Sequence, residues 1–89
     1  MGKKIIVHGK VQGVFYRHNT QLKAKELGVN GTVENLKDGT VQIFAESDSE
    51  ILDQFIEWTK IGPSAADVEK IEVYDFSFET KPEYFKILR

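Results

Sequence analysis

The 89-residue sequence has no cysteine, only two prolines and no long hydrophobic run. Without cysteine there is no disulfide framework, no thiol nucleophile and no thiolate metal site, which excludes zinc-finger and thiol-redox functions. Near the N-terminus only Ile5, Ile6 and Val7 are consecutive apolar residues, too few for a signal-peptide core or a membrane span. We therefore expect a cytoplasmic protein that is held together by packing alone.

The residues that are present, 40% apolar and 29% charged, are typical of a small globular protein. No repeat, low-complexity run or linker divides the chain, so residues 1–89 are predicted to form a single domain, and nothing demands more than a monomer. A chain of this size buries only about 60–65% of its unfolded surface, which leaves no room to enclose a cofactor. Any functional site is expected at a surface or an edge.

Charge is distributed unevenly along the chain. Residues 1–45 carry seven basic and three acidic side chains, a net charge of +4, whereas residues 46–89 carry five basic and eleven acidic ones, a net charge of −6. The net charge of the whole chain is −2, which disfavours binding to nucleic acid or to an anionic membrane. The first half can still hold a local site for a small anion.

Alternating apolar residues predict four strands and suggest a short fifth one. The predicted strands are residues 3–8, 31–36, 40–46, 68–78 and 84–88. Lys37-Asp38-Gly39 joins the second and third strands as a hairpin turn. The alternation in the fourth strand changes phase between Val73 and Tyr74, which indicates a bulge or burial on both faces.

Helical spacing predicts two helices. The apolar stripe of the first comprises Tyr16, Thr20, Ala24 and Leu27. This helix is expected to end at Gly28, in a left-handed cap. The second helix is expected to begin with the capping-box sequence Ser47-Asp48-Ser49-Glu50 and to end at Gly62-Pro63. Its predicted core face comprises Ile51, Phe55 and Trp58.

The order strand, helix, strand, strand, helix, strand predicts an α+β fold, the ferredoxin-like α/β sandwich, with two helices on one face of a mostly antiparallel sheet. A right-handed crossover through the first helix makes the first two strands parallel, so their carboxyl ends lie at the same edge. We expect the loop after His8 to neighbour the residues around Asn35. Arg17 is predicted at the start of the first helix, where unpaired N–H groups and the helix dipole favour an anion.

Residues 9–17 read Gly-Lys-Val-Gln-Gly-Val-Phe-Tyr-Arg, a glycine-containing turn followed by an arginine. Nested backbone amides bind oxyanions, and the planar guanidinium of Arg17 can hold two phosphoryl oxygens. The spacing of a nucleoside-triphosphate P-loop is absent. From these residues alone, two interpretations remain open. The segment is either a phosphate-binding loop or a tight turn followed by a solvated arginine.

Over nearly its whole length the sequence resembles the acylphosphatases. The matching segments are Val7-His8-Gly9-Lys10-Val11-Gln12-Gly13-Val14-Phe15-Tyr16-Arg17, Leu27-Gly28-Val29, Gly31-Thr32-Val33-Glu34-Asn35, Asp38-Gly39-Thr40-Val41 and Trp58 with Gly62-Pro63. The resemblance implies hydrolysis of a small-molecule acyl phosphate without metal or cofactor, with Arg17 and Asn35 as catalytic residues. It also implies that backbone amides bind the phosphate along the loop Gly9, Lys10, Val11, Gln12, Gly13, Val14 and Phe15.

Two residues depart from the family pattern, and two histidines need a role. Tyr16 replaces the usual phenylalanine, and we expect its hydroxyl to reach water or a polar partner at the rim. Thr32 stands where many members carry an aromatic residue. His18 is predicted to point about 100° away from Arg17 around the helix, which disfavours a catalytic role, and His8 is predicted on the polar side of the sheet.

Two functions of other classes compete with catalysis. An RNA-recognition module needs aromatic and basic residues on its sheet, but the third strand offers only Phe44 for stacking, so no nucleic-acid partner is expected. A non-catalytic domain that binds carbamoyl phosphate or another small anion would need only part of the site. The presence of both Arg17 and Asn35 favours catalysis. A metal site would have to be all carboxylate, and the acidic residues are spread rather than clustered.

Overall fold

A computed structural model of the protein describes all residues from 1 to 89 and contains five strands and two helices. In chain order these are β1 (Gly2–Lys10), α1 (Tyr16–Leu27), β2 (Asn30–Asn35), β3 (Val41–Glu46), α2 (Ser49–Ile61), β4 (Asp67–Asp75) and β5 (Phe85–Leu88). The predicted order of elements is confirmed, including the short fifth strand. Neither helix is long and apolar enough to cross a membrane.

The strands form one mixed sheet in the order β4-β1-β3-β2-β5. β3 pairs antiparallel with β1 on one side and with β2 on the other, so that Ile43 lies opposite both Ile5 and Val33. β4 pairs antiparallel with β1, and only β5 runs parallel to its neighbour, β2. The predicted ferredoxin-like sandwich with a mostly antiparallel sheet is therefore confirmed.

The hydrophobic core lies between the sheet and the two helices. Strand alternation directs Ile5, Val33 and Ile43 to the same face of the sheet, and all three are fully buried. Leu52 and Phe55 of α2 are buried in the same cluster. The opposite face of the sheet is only partly covered, because it receives no helix.

The first helix has the predicted stripe, but the second is rotated relative to the prediction. Tyr16, Thr20 and Ala24 of α1 are buried, and the helix ends before Gly28, whose φ is 83°. The buried residues of α2 are Leu52, Phe55 and Thr59, with Ile51 and Trp58 only partly buried at the margin. α2 has apolar side chains around much of its circumference, so several stripes fit its sequence and tertiary packing selects one.

The predicted capping box at the start of α2 is wrong. The N-cap residue is Asp48, and no side chain caps the first turn. The hydroxyl of Ser47 instead donates to the carbonyl oxygen of Gly28, at 3.2 Å. Ser47 is therefore used to join the end of α1 to the segment before α2, a long-range contact that sequence spacing does not reveal.

The irregularity of β4 lies elsewhere than predicted. The register with β1 shifts between His8 and Gly9, opposite Lys70 and Val68, and leaves Glu69 as the extra residue. Val73 and Tyr74, where the alternation changes phase, are both exposed because β4 is an edge strand. The strand also ends at Asp75, earlier than expected.

Aromatic residues after β4 cover part of the open face of the sheet. The ring of Phe76 lies 4.6 Å from that of Phe44, and the ring of Phe78 lies 4.8 Å from that of Phe76. Phe44, the one aromatic residue of β3 considered for base stacking, thus packs within the protein.

We expect Phe55→Ala to lower the free energy of unfolding by about 3–5 kcal/mol, because it removes a fully buried ring and leaves a cavity. The ring of Phe55 also packs edge-on against Phe85, with ring centres 6.1 Å apart. Urea denaturation followed by circular dichroism measures the change. Ile61→Ala on the same helix, where the side chain is 73% exposed, is the control and is expected to stay within about 0.5 kcal/mol.

Candidate active site

Three strand ends and one helix start meet at a single edge of the sheet. Val41 of β3 lies opposite Val7 of β1 on one side and opposite Asn35 of β2 on the other. Leu88 at the end of β5 lies opposite Glu34. The carboxyl-terminal parts of β1, β2 and β5 therefore lie at the same end of the sheet, and β1 continues to Lys10 before the chain turns into α1.

A cleft of about 340 Å³ opens at this edge. It is lined by Val11, Gly13, Phe15, Tyr16, Arg17, His18, Asn35, Ile87 and Arg89. The predicted proximity of the loop after β1 to the end of β2 is confirmed. The cleft brings together both residues expected to be catalytic, Arg17 and Asn35.

Four predicted loop residues do not line the cleft. Gly9 lies in the β-bulge with a φ of 127°, and a Cβ atom there would lie 2.2 Å from the carbonyl oxygen of Asp67. Lys10 is exposed at the end of β1, and Val14 is buried in the core. The fourth, Gln12, fastens the loop to the sheet.

Gln12 connects the loop to the β2–β3 hairpin. Its side-chain nitrogen Nε2 donates to the carbonyl oxygens of Leu36, at 2.7 Å, and Thr40, at 2.8 Å. One amide group therefore satisfies two main-chain acceptors next to Asn35. Gly13 follows with a φ of 74° and open space around its Cα, so the loop turns there without a side chain obstructing the cleft.

The amino end of α1 faces the cleft without a side-chain cap. Phe15 is the N-cap residue, no side chain accepts from the first-turn N–H groups, and the first turn contains no acidic residue. The unpaired N–H groups and the positive end of the helix dipole create a site that favours an anion.

Arg17 stands in the first turn of this helix. Its Nη1 atom donates to the carbonyl oxygen of Leu88, at 3.2 Å, and the side chain makes no ion pair with any carboxylate. A main-chain carbonyl of β5 thus orients the guanidinium while leaving its charge uncompensated and most of its N–H donors free.

Asn35 presents a buried acceptor to the same cleft. Its side-chain oxygen Oδ1 is buried and accepts no hydrogen bond from the protein. Buried polar atoms of folded proteins almost always have a partner, so an unpaired amide oxygen lining a cleft indicates that the partner is a ligand or a water molecule.

Tyr16 differs from the expectation of a hydroxyl at the rim. The residue is buried, and its hydroxyl donates to the carbonyl oxygen of Thr59 in α2, at 2.8 Å. Its ring lies 5.8 Å from that of Trp58, and burial raises the pKa of the phenol well above its usual value. Tyr16 therefore anchors the start of α1, and with it Arg17, to the last turns of α2.

The two histidines lie in different places. His18 is exposed and lines the cleft although it was predicted to point away from Arg17. His8 lies on β1 beside Glu72 of β4 and forms a hydrogen-bonded pair with it, on the face predicted for it. Hydrogen bonds from Tyr74 and His8 hold the pKa of Glu72 below its usual value.

The sequence did not identify Ile87, Arg89 or the carbonyl of Leu88 as parts of the site. A possible short strand at residues 84–88 was the only signal. That signal does not indicate which strand it joins, and its parallel pairing with β2 is what brings these groups to the cleft. The structure contains no group of three or more His, Cys, Asp or Glu side chains arranged to hold a metal ion.

Comparisons with known proteins agree on one family. The family model described as Acylphosphatase matches residues 3–87. A protein of Acaryochloris marina named "Acylphosphatase" is 47% identical over 88 residues, which cover 97% of this chain and 91% of that protein. The crystal structure of an acylphosphatase from Bacillus subtilis is 36% identical, with a TM-score of 0.93 over 99% of this chain and 98% of the other.

The same fold also occurs as a small part of a longer protein. The chain is similar to T. kodakarensis HypF, with 30% identity and a TM-score of 0.88. The match covers 99% of this chain but only 12% of that one.

We expect Gln12→Ala to lower the free energy of unfolding by about 1–3 kcal/mol, since it removes two hydrogen bonds to the carbonyls of Leu36 and Thr40, which keep only their main-chain donors. Thermal and urea denaturation measure the loss. Gln54→Ala on the exposed face of α2 is the matched control and should be close to neutral. Equal stabilities of the two variants would contradict a stabilising role of Gln12 in connecting the loop to the β2–β3 hairpin.

The hairpin turn next to the cleft makes stability depend on pH. Asp38 accepts hydrogen bonds from the Thr40 hydroxyl, at 2.6 Å, and the Thr40 backbone N–H, at 3.0 Å, and both lower its pKa below the usual 3.8. A lowered pKa means that the folded state favours the carboxylate. This contribution is present above about pH 4 and is lost as the pH falls through the lowered pKa.

Asp38→Asn is therefore expected to show a smaller drop in melting temperature than the wild type between about pH 4 and pH 2.5. Asparagine keeps an acceptor oxygen but does not titrate. Thermal unfolding at closely spaced pH values measures the difference. Asp53→Asn, at an exposed position of α2, is the control, and a wild-type slope in Asp38→Asn contradicts the prediction.

Proposed function

The chain belongs to the acylphosphatase family, and from this premise we propose that its cleft hydrolyses acyl phosphates to a carboxylate and inorganic phosphate. Arg17 and the backbone amides of the loop residues that line the cleft, Val11, Gly13 and Phe15, bind the phosphoryl group, and Asn35 orients the attacking water. The observation that carries the proposal is the presence, in one cleft, of an uncompensated guanidinium and an unpaired amide oxygen.

The chemistry requires little from the protein at the leaving-group side. An acyl phosphate releases a carboxylate, whose conjugate acid has a pKa of about 4, so departure needs no general acid. A catalytic His or Glu is therefore dispensable. This agrees with a cleft in which the only titratable imidazole, that of His18, is exposed at the surface.

The main requirement is positive charge around the transferred phosphoryl group. Phosphoryl transfer passes through a loose transition state in which charge is spread over the equatorial oxygens, and catalysis depends on positioning and electrostatic stabilisation. Arg17 supplies a positive charge, and its hydrogen bond to the carbonyl oxygen of Leu88 orients the guanidinium. The uncapped first turn of α1 supplies N–H donors in the same direction.

The attacking water must be in line with the breaking P–O bond. The buried Oδ1 of Asn35 accepts one proton of this water in a hydrogen bond, which points the oxygen lone pair at phosphorus. A new P–O bond forms from water, and the bond to the acyl oxygen breaks with its electron pair on the carboxylate. An oxygen of the phosphoryl group takes the proton that the water loses.

The proposed reaction uses no metal. The chain has no clustered set of carboxylate or imidazole ligands, and the positive charge that a cation would provide comes from Arg17. Metal dependence is tested directly by adding a chelator.

A second candidate function is a non-catalytic anion-binding module. It is favoured by the similarity to a segment that forms only 12% of T. kodakarensis HypF. Such a module needs the positive charge of Arg17 and the loop amides to bind the anion, but it does not need a water molecule oriented for attack. The two functions therefore differ in the part that Asn35 plays.

Hydrolysis of benzoyl phosphate by the purified protein tests the proposal. We expect turnover that is insensitive to a chelator, and a loss of kcat/KM of about 10²–10³-fold in Arg17→Ala, because the charge that stabilises the transition state is removed. Asn35→Ala is expected to lose about 10²-fold in kcat with a smaller change in KM, since it removes the positioning of water.

Matched controls lie on the same elements. Lys25→Ala removes a positive charge from the last turn of α1, and Asn30→Ala removes an amide from the other end of β2; both should keep nearly full activity. A wild type that binds phosphate without turnover supports the anion-binding module. An Asn35→Ala variant as fast as the wild type would falsify the proposed water-orienting role.

A further inference from the structure

Phe15 combines two unfavourable features at the mouth of the cleft. Its side chain is 75% exposed, and it is the only non-glycine residue with a positive φ, at 62°. It belongs neither to the core nor to any of the aromatic pairs of the protein. An aromatic ring that is three-quarters exposed contributes little to the packing of the folded protein, and backbone strain of this kind clusters at functional sites.

The strained conformation of Phe15 is held by its neighbours. Its carbonyl oxygen accepts hydrogen bonds from the backbone N–H of Asn19, at 3.0 Å, and from the Asn19 side-chain nitrogen, at 2.9 Å. The two donors determine where the residue lies relative to the first turn of α1. The orientation of Phe15 is therefore built into the loop.

The lining of the cleft divides by chemistry. The charged and polar groups come from Arg17, His18, Asn35 and Arg89, whereas Phe15 and the half-buried Ile87 of β5 provide apolar surface. An acyl phosphate divides in the same way, into a charged phosphoryl end and an uncharged acyl end. The apolar residues are thus available to the part of the substrate that the phosphate loop does not contact.

We propose that Phe15, with Ile87, contacts the acyl group and makes the cleft selective for acyl phosphates with aromatic or bulky apolar acyl groups over acetyl phosphate. The inference rests on the proposed hydrolysis of acyl phosphates. The phosphoryl end is common to all such substrates, so discrimination between them comes from the acyl end. An aromatic side chain offers a large, rigid contact area for this purpose.

The test compares kcat/KM for benzoyl phosphate and acetyl phosphate, expressed as a ratio. We expect the wild-type ratio to favour benzoyl phosphate. Phe15→Asn removes the ring but suits a left-handed backbone, and it should lower the ratio about five- to tenfold, mainly through a higher KM for benzoyl phosphate. Phe15→Tyr keeps the ring and should keep the ratio. A change in the phosphate site alters kcat/KM for both substrates equally and therefore cancels in the ratio.

Phe15→Gly is a second variant, which removes both the ring and the backbone strain, and it should lower the ratio as Phe15→Asn does. Tyr84→Asn removes a ring that is 56% exposed and lies outside the cleft, and it should leave the ratio unchanged.

A ratio in Phe15→Asn and Phe15→Gly equal to that of the wild type overturns the inference while leaving the proposed hydrolysis intact. A wild type that prefers acetyl phosphate overturns it as well. A wild type that hydrolyses neither substrate overturns the proposed function itself, so the two failures are distinguishable.

Discussion

The pairing of β3 with both β1 and β2 is the constraint on which the rest of the structure depends. Because Val41 lies between Val7 and Asn35, the carboxyl-terminal part of β1 is held beside the end of β2 although the two strands are not hydrogen-bonded to each other. The helix-facing residues of the three strands are buried together, so a slip of one residue would expose the core face. The register that protects the core also brings Asn35 to the loop that follows β1.

The end of β1 and the loop between β1 and α1 have an irregular backbone. Gly9 forms the bulge, Gly13 turns the chain and Phe15 adopts a left-handed conformation, each with a positive φ. Gln12 fastens this loop to the hairpin, and Tyr16 fastens the start of α1 to α2. These contacts fix the loop and the start of α1 relative to the rest of the fold.

Local patterns predicted the elements well because alternation and helical spacing act over a few residues. The order of elements, the end of α1 at Gly28 and the proximity of Arg17 to Asn35 were all accessible in this way. The capping box before α2 was wrong because Ser47 finds a partner in a distant segment. The predicted core face of α2 was wrong because α2 is apolar around much of its circumference. Several faces therefore fit its sequence, and only tertiary packing selects one of them.

The sequence by itself determined the fold class, the family resemblance and the two residues at the centre of the proposed chemistry, since these depend on local periodicity and on a specific motif. Only the tertiary structure decided what surrounds them. The parallel pairing of β5 with β2 brings the Leu88 carbonyl to Arg17 and places Ile87 in the same cleft as Phe15. Such contacts join residues about 70 positions apart, and no local preference encodes them.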